Sequence, residues 1–145
     1  MINSRNKGKR GELMLAAIFR EYGYPARRGQ QYSGANGDAD VVGVPFVHIE
    51  CKWSNKTELH KWISQSVHDA KPGEIPIVCH KRDNEDFFVT LHIRDFIEIF
   101  NEYASGRELA EMEEAHEANK GDTMRQDSDS SGEEGKERHH AGRGV

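Results

Sequence analysis

Cysteine is nearly absent from this 145-residue chain: Cys51 and Cys79 are the only two. They are too few and too far apart for a cysteine-based zinc site or a disulfide framework. Cys51 sits in an apolar-alternating segment, where a small packed thiol is the expected role. No apolar run approaches the length of a membrane span, and no signal-peptide pattern opens the chain, so the expected compartment is cytoplasmic. Aromatic residues stop at Tyr103, and Gly, Ser, Asp and Glu dominate from Gly121 onward. Such a stretch cannot bury enough apolar surface to offset chain entropy. The expected organisation is one folded domain over residues 1–104 and an acidic, largely disordered tail over residues 105–145. Within that tail, Arg107 to Lys120 is rich enough in Glu, Ala and Leu for a solvated helix. No internal repeat is visible.

Net charge is low, at −5, but it is unevenly placed. Residues 1–28 hold seven basic side chains against two acidic ones, including Lys7, Lys9, Arg10, Arg27 and Arg28. Residues 105–145 hold six basic against eleven acidic. A basic amino-terminal surface suits a phosphate-backbone ligand, because Lys and Arg contacts dominate such binding. A solvated basic terminus has the same composition, so charge by itself decides little.

The informative segments are Asp38-Ala39-Asp40-Val41-Val42 and Val47-His48-Ile49-Glu50-Cys51-Lys52-Trp53. In the second, alternation places His48, Glu50 and Lys52 on one strand face and Val47, Ile49, Cys51 and Trp53 on the other. A hairpin through Gly43-Val44-Pro45 would bring Asp40 beside Glu50. Two carboxylates and a lysine converging at a sheet edge make a hard, oxygen-rich site for Mg²⁺ with a cation beside it. A solvated strand face collects the same residue types. Upstream, a helix over Asn6–Gly23 carries Leu15, Ile18, Phe19 and Tyr22 at helical spacing, and Glu12 projects about 20° from Phe19. Glu12 therefore points inward, and an inward carboxylate needs a basic group or a metal-bound water as partner.

The order Lys7-Gly8-Lys9-Arg10-Gly11-Glu12-Leu13, then Gly37-Asp38-Ala39-Asp40-Val41-Val42, then His48-Ile49-Glu50-Cys51-Lys52 resembles the archaeal-type Holliday-junction resolvases and their phage relatives. These are PD-(D/E)XK nucleases, and the resemblance covers roughly Arg5 to Tyr103. It implies an α/β restriction-endonuclease-like sandwich, a mixed central β-sheet flanked by helices. It implies Glu12 as the helix carboxylate, binding a second metal directly or through water, Asp40 and Glu50 as metal ligands with the Cys51 carbonyl, and Lys52 as the catalytic lysine. Ala39 stands where the family's short name has proline. Asp38 is a second candidate acid, Ser33 matches a serine-containing loop, and Gln65 matches a glutamine that orients water or phosphate. Mg²⁺ is the implied cofactor, with Mn²⁺ as substitute. Branched or duplex DNA is the implied ligand, and a homodimer is the implied assembly.

The remaining pattern predicts strands near Asp40–Val44, Phe46–Trp53, Ile75–His80 and Phe87–His92. It predicts helices over Lys56–Ala70 and Ile93–Tyr103, the latter closing the domain and offering Ile93, Phe96, Ile97 and Phe100 to a dimer interface. Leu59, Trp62, Ile63 and Val67 should share the buried face of the middle helix, while Trp53 and Trp62 read as core or interface aromatics. Three readings stay open beside a junction nuclease: a phage nuclease acting on forks, flaps or duplex, a non-catalytic DNA-binding module of the same fold, and an interaction protein with solvated charges.

Overall fold

The computed structural model of the protein describes residues 3–30 and 38–130. Helix α1, Ser4–Glu21, starts where the Asn3 side chain accepts a hydrogen bond from the Arg5 amide at 3.1 Å. A side-chain oxygen at this position satisfies an amide that the first helical turn leaves without a partner. The helix ends before Gly23, whose φ of +90° carries the chain away in the left-handed region. Strands β1 (Arg27–Arg28), β2 (Val41–Val42), β3 (Val47–Trp53), β4 (Ile75–Lys81) and β5 (Phe88–Thr90) form one sheet in that spatial order. Helix α2, Leu59–Asp69, connects β3 to β4, which run parallel; the other strand pairs are antiparallel. A parallel pair requires such a crossover, and a helix is its usual form.

Both faces of the sheet are covered. On one, Leu15 and Ala16 of α1 join Ala26, Val41, Ile49, Cys51, Ile77 and Cys79 in a buried cluster. Gly11 of α1 faces this cluster, where an added Cβ would make ordinary van der Waals contacts at 3.5 Å with Cys51 Sγ and Trp53 Cβ. On the other face, Trp62 and Ile63 of α2 pack with Val78. Full burial of a side chain such as Ile49 or Val41 contributes about 1.5–3 kcal/mol. With both faces covered, β3 buries His48, Ile49, Glu50 and Cys51 in succession. The alternation in its sequence therefore separates two covered faces, not a core face from a wet one.

The elements differ from the sequence expectation in four places. β1 was not expected, and it exists through its pairing of Arg27 with Val42 and Arg28 with Val41. Phe46 is not in β3; it sits in the preceding turn at φ +67° and is exposed. Ile18, Tyr22 and Val67 are exposed, so the buried stripes of α1 and α2 are narrower than their apolar spacing suggests. Helix α3 starts at Ile93 as expected but runs unbroken to Ser130, through Gly106 and Gly121. Ile93, Phe96 and Ile97 are exposed and belong to neither buried cluster. The chain divides into two compact units after Ile97, the first containing the sheet, α1 and α2, and the second consisting of α3 from Glu98 within the described residues.

Candidate active site

The antiparallel pairing of β2 with β3 sets Val41 opposite Ile49, and the Asp40 amide donates to the Ile49 carbonyl at 2.9 Å. Asp40 thereby arrives beside the middle of β3, where its Oδ2 accepts a hydrogen bond from the Cys51 amide at 2.8 Å. Gly29 holds the other side, donating its amide to the Asp40 carbonyl at 2.8 Å. Asp40 and Glu50 are both buried, at 7% and 2% exposure. Burial, then the charge of Glu50, then that of Glu12, push the Asp40 carboxyl up to about 7, against the opposing Cys51 amide and Lys52. Two carboxylates crowded in a low-dielectric cleft favour a proton or a cation between them.

Glu50 is held at both oxygens. Its Oε1 lies 3.1 Å from His48 Nε2, and its Oε2 lies 3.7 Å from Lys52 Nζ. His48 is itself buried, with Nδ1 3.7 Å from Glu74 Oε2. Its pKa is raised, chiefly by the hydrogen bond to Glu50, while burial opposes the shift. Lys52 Nζ donates to Gln65 Oε1 of α2 at 3.0 Å, which aims the ammonium along the cleft. Glu12 is buried and forms an ion pair and hydrogen bond with Arg28 Nε of β1. Glu12, Asp40, Glu50, Cys51, Lys52 and Gln65 all line one cleft of about 310 Å³.

The donor set suits a hard divalent cation. Carboxylate oxygens from Asp40 and Glu50 meet at the cleft, and oxygen donors are what Mg²⁺ and Mn²⁺ prefer. Among the described residues, the three ligand atoms that approach within 4.8 Å of one another belong to His48, Glu50 and Asp69. That group shares Glu50 with the cleft. Its imidazole already hydrogen-bonds Glu50, so it is better described as a histidine cushioned by carboxylates than as a second cation site.

Residues 3–127 match the model of a protein family described as "Phage putative PDDEXK endonuclease". The chain belongs to that family. It is a nuclease of the PD-(D/E)XK superfamily, and its mixed five-stranded sheet with flanking helices is the restriction-endonuclease-like fold. No curated protein and no solved structure matches it. PD-(D/E)XK nucleases work with divalent metals, which agrees with the oxygen donors in the cleft.

The structure of this PD-(D/E)XK endonuclease sorts the residues expected from the sequence. It brings Glu12, Asp40, Glu50, Cys51, Lys52 and Gln65 together. Asp38 is exposed, precedes β2 and is not among the residues lining the cleft. Ser33 lies outside the described residues. Lys9 and Arg27 are exposed, Lys7 pairs with Asp83 at 2.7 Å, and Arg28 pairs with Glu12. Arg28 is thus the inward partner that Glu12 requires as well as a basic surface residue. The contact of His48 with Glu50 followed from their shared strand face; that of Glu74 with His48 had no local signal, because it depends on the β3–β4 register.

Proposed function

We propose that this chain is a metal-dependent DNA endonuclease that cleaves branched DNA, with four-way junctions as the foremost substrate, by phosphodiester hydrolysis. The observation that supports this reading is the meeting of Asp40, Glu50 and Lys52 in one cleft beside Glu12. Mg²⁺ or Mn²⁺ held by Asp40, Glu50 and the Cys51 carbonyl would supply a Lewis acid for the phosphate and acidify the attacking water. Asp40 is positioned by the Cys51 amide, and Glu50 by His48, so neither carboxylate must reorganise when the phosphate arrives. Lys52, steadied by Gln65, orients the nucleophilic water and offsets negative charge developing on the phosphate oxygens. Glu12, balanced by Arg28, borders the site from α1 and tunes its charge.

The resemblance to junction resolvases supports a homodimer presenting two sites to opposite strands, since a two-fold substrate suits an isologous pair. The exposed Ile93 and Ile97 at the start of α3 are our candidates for its interface. The deciding experiment is nicking of a labelled four-way junction beside forks, flaps and a matched linear duplex, with and without Mg²⁺. Cutting of the junction over the duplex is expected, together with loss in Asp40→Asn and a roughly 10²–10⁴-fold slower chemical step in Lys52→Ala. Equal cutting of all substrates would favour a nuclease of broader structural range. Metal-independent cutting, or wild-type rates in both variants, would refute the site.

A further inference from the structure

Next to the catalytic cleft lies a cluster of cations that the chemistry described above does not use. Trp53, the last residue of β3, is approached by Lys7 and Arg10 of α1, each 5.5 Å from its ring centroid, and by Lys81 of β4 at 4.3 Å. The arrangement follows from three placements. Gly11 of α1 packs beside Trp53, Lys7 and Arg10 are spaced three residues apart on one helical face, and the parallel register sets Trp53 opposite Lys81. Among the described residues, Asp83 is the carboxylate that pairs with this group. It pairs with Lys7 at 2.7 Å and accepts from Trp53 Nε1 at 2.7 Å and from Asn55 at 2.8 Å. These contacts hold Asp83 down to about 2, so three cations face one permanent anion.

Lys81 is the telling member. The residue is 8% exposed, yet among the described residues no carboxylate lies within 4.0 Å of its ammonium. Two aromatic rings, Trp53 and Phe87, are what it contacts. Burying a charged group without an anionic partner is costly, and cation–π contacts repay that cost only in part. No buried side-chain nitrogen or oxygen among the described residues lacks a partner, so the ammonium itself keeps some contact with solvent. The residue also borders a second cavity, of about 200 Å³, with Ser54, Thr57, His80, Arg82, Glu85 and Phe88. Ser54 also lines the catalytic cleft, which makes the two spaces neighbours along the carboxyl ends of β3 and β4.

We propose that Lys81, with Lys7 and Arg10 around Trp53, forms a second phosphate-binding subsite, which holds a backbone phosphate of the nucleic acid flanking the one being cut. The inference rests on the nuclease reading for its ligand and adds to it a binding position outside the metal cleft. A phosphate there completes the charge balance that Asp83 alone leaves uneven. It also anchors the strand on one side of the scissile bond, where phosphate contacts fix register without reading bases. Trp53 acts as the floor that spaces the cations, not as a stacking platform for a base.

The test is equilibrium binding of the full chain to a short linear duplex in EDTA, where no metal-dependent cutting occurs, across a series of salt concentrations. Lys81→Met keeps the stem over Trp53 and removes the charge. It should weaken binding about tenfold and lower the slope of log affinity against log salt by about 0.9. Lys81→Arg should restore the slope. Arg10→Gln, at an exposed position, should lower it similarly and tests the subsite even where Lys81→Met folds poorly. Lys71→Met, a cation on the loop after α2, serves as a control with an unchanged slope. Tryptophan emission should also change on adding duplex to the wild type, and less so in Lys81→Met. Wild-type slopes in both Lys81→Met and Arg10→Gln would overturn the subsite while leaving the nuclease reading intact. Altered slopes in a protein that cuts no DNA would sustain the subsite and sink the nuclease reading. A wild type that binds no duplex would overturn the subsite directly.

Discussion

Asp40 and His48 show how single side chains set the properties of this site. With its carboxyl pushed up to about 7, Asp40 binds a proton in the folded state at pH values where the unfolded chain, with an ordinary value of 3.8, has lost it. The folded state then holds more protons than the unfolded state between about pH 4 and pH 7. Stability of the metal-free protein must fall as pH rises through that window. Thermal melts in EDTA should show this decline. Asp40→Asn should flatten it, and Mg²⁺ should raise the melting temperature more at pH 8 than at pH 5; a flat wild-type profile would contradict the account. His48 is a separate case. His48→Leu removes the hydrogen bond to Glu50, which is only 2% exposed, and should cost about 1–3 kcal/mol in urea unfolding as well as slowing cleavage. That this histidine touches Glu50 follows from their spacing of two on one strand. That Arg28 balances Glu12 does not, because nothing in the sequence between them says that β1 passes beside α1.

At the scale of elements, β1 is the least legible part of the fold and the most consequential for the site. Two residues carry no alternation to read, and the strand exists because β2 offers it a ladder. Its follower, Gly29, lies so close to the next segment that a Cβ there would sit 2.0 Å from the Ala39 carbonyl oxygen. Backbone, not a flexible side chain, would have to yield. Gly29→Ala should therefore displace Asp40. We expect a loss of roughly 1–3 kcal/mol in unfolding free energy and weakened cleavage that extra Mg²⁺ restores only in part. Full activity at normal stability would show that this contact is dispensable. The long strands and α2 were legible within a few residues, because Ile75–Lys81 and Leu59–Asp69 carry their apolar runs between clear breakers. Helix α3 was foreseen in pieces and is continuous. Gly106 and Gly121 each cost only about 1 kcal/mol relative to alanine within a helix, less than is needed to end one rich in Glu, Ala and Leu.

For the whole molecule, charge is the property that matters beyond the site. Residues 105–145 hold six basic and eleven acidic side chains, so their removal takes the net charge from −5 to about neutral. The cleft residues all belong to the first compact unit, Met1–Ile97. A chain ending at Tyr103 should keep its fold and its metal-dependent cutting. Its association with DNA should be modestly faster at low salt, and the gain should vanish at high salt as screening shortens the reach of the charge. Stopped-flow association at two ionic strengths measures this. A folded but inactive truncation would mean that the removed segment completes the active assembly.

The sequence by itself determined the order and spacing of Glu12, Asp40, Glu50 and Lys52, and the strand and helix that carry most of them. Those features are local: alternation on β3, helical projection on α1, and breakers around α2. Only the tertiary structure decided who partners whom. Arg28 reaches Glu12 through β1, Glu74 reaches His48 near the start of β4, and Lys81 meets Trp53 across a parallel register. Each of these contacts joins residues that are distant in the chain. Their pairing is set by how sheet and helices pack, and no residue type or spacing encodes it locally.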